Sequence, residues 1–233
     1  MTASTDPSPT SGRRPRAVLL DVDGTLVDSS YVHTLAWWQA LRQHGRTVPM
    51  ARIHRAIGLG SDRIVEHLLG EHHSGDDAAV VASHGALVAA WHDRLVPLPG
   101  ARDLLRRCHE AGLVVVLSTS AGARDVAALR AVLDADEYVD EVTTSADAER
   151  SKPDTDILDA ALQRIDVPAE DCVFVGDAVW DVEAARRAGM PCVGLECGGT
   201  SAHELREAGA VGVWSTPSDL VAHWDASPLG AAG

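Results

Sequence analysis

The spacing of apolar positions changes character twice along the chain. A short apolar run, Ala17-Val18-Leu19-Leu20, stops abruptly at Asp21-Val22-Asp23-Gly24-Thr25. A run of that length, bounded by charge and glycine, predicts a strand buried on both faces of a parallel sheet. Residues 29–97 then carry apolar residues at helical spacing: Val32, Leu35, Ala36, Ala40 and Leu41; Ile53, Ala56 and Ile57; Ile64, Val65, Leu68 and Leu69; and the stretch 78–95. Gly45, Gly58-Leu59-Gly60 and His73-Ser74-Gly75-Asp76 punctuate these clusters. About four helices are predicted, with Trp37, Trp38 and Trp91 among their apolar residues. They form a small bundle inserted after the first strand.

From Pro99-Gly100 onward helix and strand alternate. Leu104, Leu105, Cys108 and Ala111 make a helical stripe closed by Gly112, and Leu113 to Leu117 is an apolar strand. Val126, Leu129, Val132 and Leu133 are helical, and Tyr138 to Thr143 is a weaker strand. Ile157, Leu158, Ala161, Leu162 and Ile165 form the next stripe, with Asp154 placed to cap it. Strands at Val173 to Val175, Cys192 to Leu195 and Val211 to Trp214 follow, with helices at Val179 to Ala188, from about Ser201 and from Pro217. Such alternation predicts an α/β fold, a doubly wound parallel sheet. The expected division is a core of residues 16–28 and 98–233, a helical cap at 29–97, and a disordered tail at 1–15, rich in Ser, Thr, Pro and Gly.

Charge narrows the partners. A formal charge of -14 argues against a nucleic-acid surface or an anionic membrane, so a phosphate site must carry its own local cations. Arg13-Arg14 precede an apolar run that ends after four residues at Asp21, which leaves no export-signal core. Cys108, Cys172, Cys192 and Cys197 lack Cys-x-x-Cys spacing and read as reduced thiols, and a cytoplasmic location is expected. Of the 20 basic residues, 19 are arginine and one is lysine, Lys152 in Ser151-Lys152-Pro153. Arg and Lys are not interchangeable where a compact point charge is needed, so the one lysine is a candidate functional residue.

The chemistry-bearing residues fall at strand ends. Asp21 and Asp23, two apart on an extended chain, can face one pocket, where their repulsion calls for a cation or a shared proton. Leu117-Ser118-Thr119-Ser120 offers three hydroxyls before a helix, suited to phosphate oxygens or simply to capping. Gly176-Asp177-Ala178-Val179-Trp180-Asp181 sets two carboxylates four apart at a strand-to-helix turn, and hard carboxylate oxygens suit Mg²⁺.

In that order, Asp21-Val22-Asp23-Gly24-Thr25, the Thr119 hydroxyl, Lys152 and the Gly-Asp-x-x-x-Asp of residues 176–181 resemble the four motifs of the haloacid dehalogenase-like (HAD) hydrolase superfamily. The resemblance covers essentially the whole chain after residue 16. It implies a Rossmann-like core with Asp21 as nucleophile on phosphorus, forming an aspartyl-phosphate, and Asp23 as general acid and base. It implies Mg²⁺ held by Asp21, the backbone carbonyl of Asp23 and Asp177, with Asp181 ligating or orienting. It implies phosphate binding by Thr119 with its neighbours Ser118 and Ser120, and a phosphate-stabilising Lys152 whose side chain faces the pocket instead of the core. Dehalogenases, phosphonatases and cation pumps of the superfamily carry another residue at Asp23, whereas phosphatases and phosphomutases carry Asp.

The insert resembles the helical cap of the phosphoglycolate phosphatase and β-phosphoglucomutase branch. His33 matches a cap histidine of the mutases. Their phosphate-gripping arginine aligns with Ser61, and Arg63 lies two residues on. A mutase lysine near residue 86 has no counterpart. The expected activity is therefore Mg²⁺-dependent hydrolysis of a small phosphate ester by a monomer or homodimer, with a sugar phosphomutase as the alternative. A phosphoacceptor receiver module would lack both the helical insert and the Asp-Gly-Thr turn. Gly198-Gly199-Thr200-Ser201 can cradle an anion or begin a helix, and Trp180 can wall the pocket or pack.

Overall fold

Strict alternation along the first strand decides the layering. The computed structural model describes residues 14–70 and 77–230. The expected tail at 1–15 falls almost wholly outside these residues, as does the turn at 73–76. Strands β1 (Ala17–Leu20), β2 (Val114–Ser118), β3 (Glu141–Thr143), β4 (Cys172–Gly176), β5 (Cys192–Leu195) and β6 (Gly212–Trp214) form one sheet, ordered β3-β2-β1-β4-β5-β6. Every pairing is parallel, and Leu20 of β1 stands between Leu117 of β2 and Val175 of β4.

Between β1 and β2 the chain runs through α1 (Ser30–Gln43), α2 (Met50–His54), α3 (Ser61–Leu69) and α4 (Asp77–Ala89). These helices bury a cluster of their own, including Trp37, Leu41, Ile53, Ile64, Leu68 and Val80. The chain leaves and re-enters the sheet side by side: the Asp28 N–H donates to Val96 O at 3.0 Å and the Leu98 N–H to Leu26 O at 2.8 Å.

Helices α5 (Ala101–Glu110), α6 (Ala123–Leu133), α7 (Asp156–Ile165), α8 (Val179–Arg187), α9 (Ala202–Ala208) and α10 (Pro217–Ala222) cover both faces of the sheet. Val18 and Leu20 pack with Leu104 and Leu105 of α5, Leu129 of α6 and Leu220 of α10. Ala17 and Leu19 pack on the other side with Ile157 and Leu158 of α7 and Val182 of α8. Burial on both faces is why these strands read as unbroken apolar runs.

Two expectations need correction. The strand foreseen at 138–143 shrinks to Glu141–Thr143, because 136–138 is a 3₁₀ turn and the edge strand has a partner on one side only. Asp154 does not cap α7; Thr155 occupies that position, and the Asp154 carboxylate pairs with Arg63. The strand order sends β2 and β3 one way from β1 and β4 to β6 the other. The crevice outside the C-terminal ends of β1 and β4, where the winding reverses, is where such sheets place ligands.

Candidate active site

The strand ends bring one ammonium and three carboxylates together. Asp21 continues β1, its N–H donating to Val175 O at 2.9 Å, and it keeps the parity of Leu19, which points toward α7 and α8. From that side come Lys152, just before α7, and Asp181, in the first turn of α8. Lys152 Nζ donates to Asp21 Oδ1 at 2.5 Å, to Asp181 Oδ1 at 2.8 Å and to Ser118 O at 3.3 Å. Asp181 Oδ2 accepts the Ala178 N–H at 3.0 Å, which fixes the start of α8. Asp177, following β4, accepts the Thr25 hydroxyl at 2.8 Å. Lys152 is fully buried, with Nζ 5.1 Å from the centre of the Phe174 ring. The expectation that it faces the pocket is thereby corrected: it stands beneath Asp21, inside the core.

This cluster carries surplus negative charge. Single oxygens of Asp21, Asp177 and Asp181 lie within 4.8 Å of one another, all three residues buried. Burial pushes Asp21 up to about 7 even though Lys152 opposes the shift. Burial and the neighbouring acids Asp181 and Asp21 push Asp177 well above the usual carboxylate range. Burial would lower Lys152, but Asp181 and Asp21 outweigh it and raise it, so the ammonium stays charged. Three acids against one ammonium leave a deficit that a hard divalent cation fits in both charge and donor type. Glycines keep the space open. A Cβ at Gly198 would fall 1.6 Å from Asp177 Oδ2, and one at Gly24, held at φ +82°, would fall 2.7 Å from the same oxygen.

Asp23 faces different company. Its Oδ1 accepts Ser29 Oγ at 2.6 Å and lies 3.1 Å from His33 Nε2, while His33 Nδ1 lies 3.2 Å from His84 Nε2. Trp37 stacks on His84, with ring centroids 3.9 Å apart and planes 12° from parallel. Burial alone would raise Asp23, but the charge and hydrogen bond of His33 and the Ser29 hydroxyl hold it below the ordinary value. His33 is raised in turn, since Asp23 outweighs its burial. Burial and the His33 charge push His84 down to about 2, so it is neutral and accepts the His33 Nδ1 proton. Each acid of the Asp-x-Asp pair thus has its own cationic neighbour, Lys152 for Asp21 and His33 for Asp23.

Asp21, Asp23, His33, His84, Thr119 and Ser120 line one cavity of about 250 Å³ between the sheet and α1, α3 and α4. Ser118 does not: its hydroxyl accepts from Thr143 Oγ1 at 3.1 Å, turned into the sheet toward β3. Arg63 is also absent from the cavity wall, because its guanidinium is engaged by Asp154. His84 was not anticipated from the sequence. Its signal was a polar residue interrupting the apolar series Val80, Val81, Leu87 and Val88 on α4. Trp180 donates its indole N–H to Arg55 O at 3.0 Å and meets His67 edge-on at 5.2 Å, so it joins the helical segment to α8 and lies outside the Asp21 cavity. Ser201 accepts the Glu204 N–H and caps α9, so the glycine turn begins a helix.

Known proteins resemble this chain in sequence and in fold. A family model described as haloacid dehalogenase-like hydrolase matches residues 15–189. A phosphoglycolate phosphatase of Pseudomonas fluorescens is 33% identical over 196 residues, 80% of this chain and 71% of the relative. A validoxylamine A 7'-phosphate phosphatase of Streptomyces hygroscopicus subsp. limoneus is 30% identical over 184 residues, 77% of this chain and 85% of the relative. The crystal structure of a hydrolase from Pseudomonas syringae superposes with a TM-score of 0.86 at 33% identity, covering 91% of this chain and 98% of that one. The chain belongs to the haloacid dehalogenase-like hydrolases.

Proposed function

We propose that this chain is a phosphomonoester hydrolase acting on a small phosphorylated metabolite through a covalent intermediate on Asp21. One observation carries the reading: two carboxylates of one strand end, Asp21 and Asp23, line a single cavity with different partners. Asp21, oriented by Lys152, attacks phosphorus while the ester oxygen departs and takes a proton from Asp23. Water then attacks the aspartyl-phosphate, Asp23 accepts the water's proton, and the Asp21–phosphorus bond breaks to release inorganic phosphate. The neighbouring His33 charge holds Asp23 ionised, so the proton it delivers to the ester oxygen is drawn from His33, and the proton taken from water in the second step returns there. Thr119 and Ser120, which follow β2 and line the cavity, would meet the phosphoryl oxygens.

Asp21, Asp177 and Asp181 would hold the divalent ion, for which we propose Mg²⁺, along with the backbone carbonyl of Asp23. Such an ion neutralises charge on the phosphoryl group. Residues 29–97 act as a cap that supplies His33, His84 and the far wall of the cavity, and the four free cysteines suit a reducing cytoplasm. A mutase must also grip a second phosphate. No lysine or arginine lines the cavity among the described residues, so hydrolysis is the favoured outcome.

Two measurements test this. Chelation abolishes release of p-nitrophenol from p-nitrophenyl phosphate and added Mg²⁺ restores it; full activity in excess chelator would remove the metal from the reading. His33→Ala lowers kcat roughly tenfold with little change in KM, because Asp23 loses the cation that tunes it and keeps Ser29. An unchanged kcat would make His33 a packing residue.

A further inference from the structure

The cavity is as informative for the charges it lacks as for those it holds. Its volume, about 250 Å³, falls just under the roughly 300–1,000 Å³ of common small-molecule clefts, so it admits a small ester. Trp37, Ile57, Leu59 and Val81 give it apolar walls. Its ionisable lining beyond Asp21 and Asp23 is His33, His84 and Asp125. His33 is matched by Asp23, and Asp125 Oδ1 lies 3.1 Å from His92 Nε2. His84 is neutral, stacked on Trp37 and bonded to His33. Lys152 is buried behind Asp21 and outside the lining.

The arginines that could have served are committed elsewhere. Arg63 is held by Asp154 and faces a separate groove with Glu66, and Arg55 lies 3.5 Å from Glu204 beside another. Recognition of a carboxylate in a confined site calls for an unmatched cation, most often a forked arginine. Here an incoming carboxylate would meet Asp125 and find no unmatched cation to receive it. The other side chains with polar atoms in the lining are neutral: the hydroxyls of Ser61, Thr119, Ser120 and Ser145 line the same space. Ser120 Oγ is buried without a hydrogen-bond partner among the described residues. A buried hydroxyl left unpaired is costly, and a substrate hydroxyl or phosphoryl oxygen satisfies it.

We propose that the alcohol released is uncharged and hydroxyl-bearing, a small polyol or sugar, and that esters whose leaving group carries a carboxylate are poor substrates. This rests on the phosphatase reading above, and it sets the chain apart from the activity named for its Pseudomonas fluorescens relative. The walls Trp37 and Val81 offer an apolar face to the carbon skeleton, and the serines offer bonds to its hydroxyls.

The test is a panel of kcat/KM values with divalent metal present: glycerol phosphate, sorbitol phosphate, a hexose phosphate, phosphoethanolamine, phosphoglycolate and p-nitrophenyl phosphate. The best neutral polyol or sugar ester should exceed phosphoglycolate by about tenfold or more, the scale of one like charge across a partly shielded site. A smaller ratio, or phosphoethanolamine as the best of the panel, overturns the proposal while leaving a working phosphatase. Failure to hydrolyse any ester, p-nitrophenyl phosphate included, overturns the phosphatase reading and this one with it. A variant checks the cause. Asp125→Asn keeps a partner for His92 but removes the charge, and it should raise phosphoglycolate relative to the neutral ester by about tenfold. An unmoved ratio overturns the electrostatic basis.

Discussion

Asp21→Asn is expected to abolish turnover outright while leaving the protein folded. An amide nitrogen or oxygen at this position cannot make the carboxyl–phosphorus bond, so the loss is of a bond-forming atom and no neighbouring acid replaces it. Asp177 is held by Thr25, Asp181 by Lys152 and the start of α8, and Asp23 by Ser29 and His33. Stability should hold, because Lys152 keeps Asp181 as its counter-ion and the substitution relieves repulsion among three clustered acids. Rapid acid quench followed by mass measurement gives a phosphoryl increment on the native chain during turnover and none on the variant. Near-normal hydrolysis by Asp21→Asn would end the covalent mechanism.

Lys152→Met and Lys152→Arg should both fail, in activity and in stability together. Methionine fills the stem but leaves Asp21 and Asp181 buried without their cation. Breaking a buried ion pair from one side costs on the order of 3–5 kcal/mol, or about 10 °C in Tm for a chain of this size. Arginine keeps the charge, yet its planar head needs room that a fully buried site does not have. Turnover should fall by about 10² or more in each case, the range for loss of one preorganised charge. Melting curves and kcat measured side by side check this. A Lys152→Arg enzyme with native kcat and Tm would mean that a generic cation suffices there.

Local pattern positions some residues of the site, and long-range packing positions the others. Asp21, Lys152 and Asp177 were legible because each follows or precedes a strongly patterned element, and local pattern fixes where an element ends. Depth was not legible. Nothing in Ser151-Lys152-Pro153 distinguishes a lysine at a cavity wall from one sealed beneath Asp21 against Phe174. The three hydroxyls after β2 could not be separated by pattern alone, and it is the pairing with β3 that turns Ser118 toward Thr143. Arg63 was placed by its nearness to an aligned position, but its pairing with Asp154 bridges 91 residues. His84 reaches His33 across 51 residues, a contact that depends on how α4 packs on α1. The order of the strands was equally beyond reach, although the parallel alternation was plain.

The central position of β1 has a mechanical consequence. Its four residues are fully buried and bonded to strands on both sides, so they belong to the part of the molecule that opens only when everything opens. Asp21 hangs from that stiff beam, braced by Lys152. His33 and His84 ride on α1 and α4, whose segment meets the rest of the chain at the crossings at 26–28 and 96–98 and at side-chain contacts such as Arg63 with Asp154 and Trp180 with Arg55 O. Bond-making and proton-tuning are thus mounted on supports of unequal rigidity. A disturbance of the helical segment would therefore detune Asp23 before it displaced Asp21.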